Sequence, residues 1–180
     1  MLRKFAVGAV GAIACLSAAS VPTSAHVTLE RQEAPVGSSY KAVLRVPHGC
    51  AGSPTTAIRA RVPAGIIGVK PMPKPGWQLN TVTGKYPKPY TLRGAPVTEG
   101  VTEVAWSGGK LLDTHYDEFV FIGVIAEELG GGQTIYFPVV QECEKGVHRW
   151  IEIPTGKPSD GHGAGSAEPA AVLRLLPKQK

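Results

Sequence analysis

The sequence of 180 residues is poor in charge, with 18% charged side chains, and contains three cysteines and two methionines. No run of Lys and Arg is interleaved with aromatic residues, which argues against a nucleic-acid-binding surface. Glycine (22) and proline (16) are too frequent for a protein built of long helices. A hydrophobic content of 43% excludes an intrinsically disordered chain. The composition therefore favours a globular domain of short strands and turns.

Several motifs of metalloenzymes and hydrolases are also missing. The sequence has no HExxH, no C-x2-C and no closely spaced histidine pair, so it has no recognisable zinc motif. It has neither a nucleophile elbow nor a Ser-His-Asp pattern that would indicate a hydrolase. Beyond the first 25 residues Met72 is the only methionine, which disfavours a thioether-rich Cu(I) site.

Residues 1–25 have the pattern of a secretory signal peptide. Arg3 and Lys4 precede a short apolar segment, and Thr23-Ser24-Ala25 is a small-residue cleavage site. Cleavage after Ala25 would leave 17 basic and 14 acidic residues, a formal charge of +3. The alternative is an uncleaved membrane anchor, although the apolar run is short for one. We expect an exported, periplasmic protein whose mature form does not span a membrane.

Two cysteines remain after the predicted cleavage, Cys50 and Cys143. An even pair in an oxidising compartment predicts one disulfide. The alternative is that both thiolates bind a metal ion.

Alternating apolar residues predict short strands separated by Gly- and Pro-rich turns. The predicted strands are 40–46, 56–62, 65–70, 77–83, 101–107, 118–126, 134–141 and 148–153. Seven or eight such strands favour an all-β fold, an antiparallel β-sandwich, over residues 26–154. Residues 155–180 are predicted to form a flexible tail, in which 172–176 could alternatively dock on the sheet.

His26 is a candidate metal ligand because of where the predicted cleavage places it. As the first residue it would offer two nitrogens, the α-amine and ring Nδ1, to one ion. Both nitrogens are available to a metal ion around neutral pH, and such nitrogen pairs suit Cu(II).

Four further histidines are His48, His115, His148 and His162. His48 lies beside the predicted disulfide, which would hold its backbone firmly. His148 and Trp150 are two residues apart on one predicted strand and would share a face. We expect His115 to be solvated and His162, in the tail, to have no role.

Five short motifs resemble the YcnI-like copper-binding domain family. They are His26-Val27-Thr28-Leu29, Pro75-Gly76-Trp77, Trp106-Ser107-Gly108-Gly109, Asp117-Glu118-Phe119 and Arg149-Trp150-Ile151. The resemblance covers residues 25–154. It implies an extracytoplasmic β-sandwich, similar to fibronectin type III, that binds one Cu(II). The implied ligands are the amine and ring of an N-terminal histidine plus an acidic residue, with a tryptophan beside the metal.

His26 matches the family's bracing histidine, and Trp150 falls at the position of its tryptophan. Where the family has its acidic ligand this chain reads Pro-His48-Gly-Cys, so His48 is the inferred replacement. Glu30 and Glu33 are alternative ligands because they are close to His26 in sequence.

The resemblance implies a non-enzymatic copper-handling protein that holds one Cu(II) through a histidine brace and contributes to copper homeostasis, exchanging the ion with a periplasmic metallochaperone. Two other functions remain open: a copper-dependent redox enzyme, and a metal-free interaction module, because sandwiches of this shape often serve only as binding domains.

Overall fold

The computed structural model describes residues 26–154 and 168–179. These ranges form twelve strands and contain no helix, so the predicted all-β class is confirmed. The strands are β1 (Thr28–Leu29), β2 (Glu33–Pro35), β3 (Ser39–Val46), β4 (Thr55–Arg61), β5 (Ile66–Pro71), β6 (Gln78–Leu92), β7 (Ala95–Leu111), β8 (Asp117–Ile125), β9 (Thr134–Phe137), β10 (Val139–Cys143), β11 (Val147–Trp150) and β12 (Ala171–Leu176). The predicted signal peptide and His162 lie outside the described residues.

Two sheets form a β-sandwich around one apolar core. One sheet has the order β1-β3-β8-β5 and the other the order β11-β10-β4-β7-β6. Their inward residues alternate along each strand, as in Tyr40, Ala42 and Leu44 of β3, all buried. Trp106 of β7 meets Phe119 of β8 across the core, with ring centroids 5.5 Å apart. The predicted sandwich is confirmed.

A third sheet of order β2-β12-β9 closes one side of the core. Its middle strand β12 lies in the segment predicted to be a flexible tail. Leu173 and Leu175 of β12 are fully buried among core residues, and the strand pairs with both neighbours. For residues 168–179 the tail prediction is corrected, and the docking alternative describes this part of the chain. The apolar alternation of 171–175 gives the reason, because burial of these side chains offsets the entropy of ordering the segment.

The predicted strand 134–141 is two strands that belong to different sheets. Pro138 separates β9, which pairs with β12, from β10, which pairs with β4 and β11. Proline has no N–H to donate to a sheet, so pairing breaks there. The Pro138 carbonyl still accepts a hydrogen bond from the Arg61 amide at 2.9 Å.

Strands β6 and β7 form a hairpin far longer than the two predicted segments, with 15 and 17 residues. Arg93 and Gly94 at its turn have φ values of 53° and 80°, as a two-residue turn of a twisted hairpin requires. Its distal part packs Tyr90 onto Ile67 on the outer face of the first sheet. The sequence of this part is polar and proline-containing, so apolar alternation does not predict it.

Candidate metal centre

The predicted metal-binding residues lie at one edge of the sandwich, where β1, the end of β3 and β11 come together. His26 lies two residues before Thr28, the first residue of β1, which pairs with Arg45 of β3. His48 follows β3 by two residues. Trp150 ends β11, the edge strand of the five-stranded sheet. The fold thus brings three segments that are distant in sequence to a common edge.

The ring of Trp150 contacts the rings of two histidines, His26 and His148. Its ring centroid is 5.4 Å from that of His26 and 4.8 Å from that of His148, on which it stacks at 27°. Its side chain is buried, with 3% exposed, and its indole N–H donates to Gln141 Oε1 at 3.0 Å. The position of Trp150 beside His26 agrees with the role that the resemblance implies for it.

The ring of His48 contacts the ring of His148. Their ring centroids are 6.3 Å apart with the planes at 83°. His48 Nδ1 donates to the Gly49 carbonyl at 2.6 Å, which fixes the ring orientation. The contacts therefore connect four rings in the order His26, Trp150, His148 and His48.

A disulfide anchors the segment that carries His48. Cys50 and Cys143 are bonded, with their Cα atoms 6.0 Å apart, so the predicted pairing is present. Cys143 ends β10. Because His48 is two residues from Cys50, the disulfide ties it to the strand that pairs with β11.

Gln141 of β10 lies beneath these residues and is fully buried. Its amide nitrogen donates to the His48 carbonyl at 2.7 Å and to Thr55 Oγ1 at 2.8 Å, while its oxygen accepts from Trp150. In the sheet it lies opposite His148. The sequence gives no sign of this role, since a glutamine in an apolar strand could equally be a surface residue.

Glu168 is a second residue that sequence analysis missed. Its Oε1 accepts a hydrogen bond from His148 Nδ1 at 2.7 Å and its Oε2 accepts one from the Arg149 amide at 2.8 Å. Burial tends to raise the pKa of Glu168, but the hydrogen bonds from His148 and Arg149 outweigh it and hold this pKa below its usual range. Glu168 belongs to the segment predicted to be a tail, and that prediction gives it no role in the site.

The alternative ligands Glu30 and Glu33 contact arginines. Glu30 pairs with Arg45 at 3.6 Å, and Glu33 pairs with Arg174 at 3.4 Å. Both carboxylates are exposed. An open cavity of about 380 Å³ borders His26, and its lining residues are His26, Thr28, Arg45, Pro47, Tyr116 and Glu118. Glu118 is therefore the carboxylate that shares a cavity with His26.

The described residues contain no group of three His, Cys, Asp or Glu side chains arranged to hold a metal ion. An N-terminal histidine differs from such a group because one residue supplies two donors. The donors gathered here are imidazoles, which suit copper. The chemistry of these side chains, rather than a formed three-ligand cluster, is what fits a copper ion bound through nitrogen.

No curated protein matches this chain. A solved structure of an uncharacterized protein from Nocardia farcinica, described as having an immunoglobulin-like fold, is similar with a TM-score of 0.60. The two chains are 20% identical, and the match covers 84% of this chain and 98% of the other. At this identity the likeness concerns the fold alone.

No helix within 26–154 or 168–179 has the length and apolar character needed to cross a membrane. The family described as Domain of unknown function (DUF1775) matches residues 26–175, and the chain belongs to it.

Proposed function

We propose that this chain is an exported, YcnI-like copper-binding protein that holds one Cu(II) through the amine and ring of His26, with His48 as a further ligand. The observation that supports it most directly is the placement of His26 beside the buried ring of Trp150, at 5.4 Å. The residue that would begin the predicted mature chain therefore packs against a buried aromatic ring.

The surroundings of His26 would leave a bound ion accessible to a partner protein. Its ring is half-buried against Trp150, and the adjoining cavity is open to solvent. Arg45 in that cavity is flanked by Glu30 at 3.6 Å and Glu118 at 4.0 Å. An exposed ion at such an edge would be accessible to another protein. The proposed role is therefore copper handling, with exchange to or from a periplasmic metallochaperone.

Blocking the α-amine tests the brace. Protein that begins at His26 is acetylated near pH 6.5, where the α-amine reacts in preference to lysines because its pKa is near 8 and theirs is near 10.4. Free and blocked proteins are then titrated with Cu(II), following Trp fluorescence and the electron paramagnetic resonance spectrum. We expect a tetragonal signal with nitrogen couplings in the free protein and fluorescence quenching through Trp150.

Blocking should weaken Cu(II) binding by more than about 100-fold, the upper end of the effect expected for a group that only supports a ligand. His48→Ala should also weaken it. His115→Ala is the matched control because His115 is exposed, and it should leave the affinity unchanged. Equal affinity of the free and blocked proteins would mean that the amine is not a ligand.

A further inference from the structure

We propose that His148 is a second imidazole ligand of the metal, paired with His48, and that Glu168 is the carboxylate that orients it. This inference deepens the proposed function, since it concerns the same edge and shares His48, but it does not require the N-terminal amine. It rests on the ring contact between the two histidines and on the hydrogen bonds at their Nδ1 atoms.

Both histidines donate from Nδ1 to an oxygen. His48 donates to the Gly49 carbonyl at 2.6 Å, and His148 donates to the Glu168 carboxylate at 2.7 Å. Neither oxygen can act as the donor, so each neutral ring is the Nδ1–H tautomer, in which Nε2 carries the lone pair. Metal-binding histidines in proteins are commonly fixed in this way, by a carbonyl or a carboxylate on the nitrogen that does not bind the metal.

The separation of the two rings is suitable for one shared ion. An imidazole nitrogen lies about 2.0–2.1 Å from a bound metal, so two rings on one ion have centroids about 4.5–6.5 Å apart, depending on the angle between them. The observed separation is 6.3 Å, at the upper end of this range, where the two nitrogens lie on nearly opposite sides of the ion. Both side chains are half-buried, and both are anchored, His48 through the disulfide and His148 through pairing of β11 with β10.

The backbone holds Glu168 in place against β11. The Glu152 amide donates to the Glu168 carbonyl at 3.1 Å, and the Ala170 amide donates to the Glu152 carbonyl at 2.9 Å. The Arg149 amide binds the second carboxylate oxygen at 2.8 Å. A carboxylate fixed this firmly holds the ring it contacts in one tautomer and one orientation.

Titrations of the acetylated protein with Cu(II) and with Zn(II) test whether His48 and His148 bind a metal ion when the α-amine of His26 cannot. We expect residual binding that falls at least tenfold in His148→Ala and in His48→Ala and stays unchanged in His115→Ala. Glu168→Gln should weaken binding by about 10–100-fold. Glu168→Ala, which removes the acceptor altogether, should change the His148 tautomer in long-range proton–nitrogen spectra of the metal-free protein, a signal that a purely structural role would leave alone. Circular dichroism verifies that each variant is folded.

The outcomes separate this proposal from the brace. If acetylation of the α-amine abolishes all Cu(II) binding and His148→Ala leaves the unacetylated protein at full affinity, His148 is not a ligand. The proposal that the amine and ring of His26 bind the ion is then supported. If acetylation leaves the Cu(II) affinity unchanged and His148→Ala removes binding, the amine of His26 is not a ligand. The proposal that His48 and His148 bind the ion together is then supported. Loss of affinity in both experiments supports a site that uses all three histidines.

Discussion

At the scale of single residues, Gln141 determines how the candidate site is held together. It is a fully buried polar residue, and its three hydrogen bonds reach the Trp150 indole, the His48 backbone and the Thr55 hydroxyl. Buried polar groups of this kind are stabilising only when every partner is satisfied. Gln141 thus fixes the spacing between the segment of His48 and the ring beside His26.

Gln141→Leu should destabilise the protein by about 1–3 kcal/mol, because it leaves buried polar groups without a partner. Urea unfolding followed by circular dichroism measures this change. Gln78→Leu is the matched control, since Gln78 is exposed, and should stay within about 0.5 kcal/mol of the wild type. Equal unfolding free energies for the two variants would show that Gln141 does not hold the site.

At the scale of strands, alternation in the sequence predicted β3, β4, β5 and β8 well because their inward residues are strongly apolar. Two kinds of element were not predicted by it, and β12 was predicted only as the alternative to a tail. Strands β1 and β2 have two and three residues, too few to show a period. The outer half of the β6–β7 hairpin is polar, and it forms because its turn and partner strand impose the geometry. Strand β12 follows a Gly- and Ser-rich segment whose composition suggested a tail.

Strand β12 gives a prediction at this scale. Leu173 is fully buried among core residues, whereas its neighbour Val172 is exposed on the other face. Leu173→Ala should cost about 2–5 kcal/mol of stability through the lost burial and the cavity left behind. Val172→Ala should cost less than about 1 kcal/mol, the span of strand propensities. Urea midpoints compare them, and similar losses would contradict a structural role of β12 in the core.

At the scale of the whole molecule, the sequence indicated candidate residues for the site but not how the fold arranges them. His26, His48 and Trp150 followed from a cleavage position and a family resemblance, and the fold brings them to one edge. Glu168 and Gln141 could not be predicted, because their roles depend on which segments the sheets place side by side. The pairing of strands that are distant in sequence depends on the complete fold, and a local sequence pattern does not predict it.

The disulfide is the one covalent link between distant parts of the chain, among the residues that the structure describes. It closes a loop with a sequence separation of 93 residues. At that length, loop-closure entropy predicts roughly 4–5 kcal/mol of stabilisation, a large part of the 5–15 kcal/mol typical of a domain. The double variant Cys50→Ala/Cys143→Ala should therefore unfold at a much lower urea concentration than the wild type. It should also bind Cu(II) more weakly, because His48 loses its anchor two residues away. Thiol counting on the denatured, unreduced wild type provides the independent check: no free thiol is expected from the mature chain, and two would show that the link does not form.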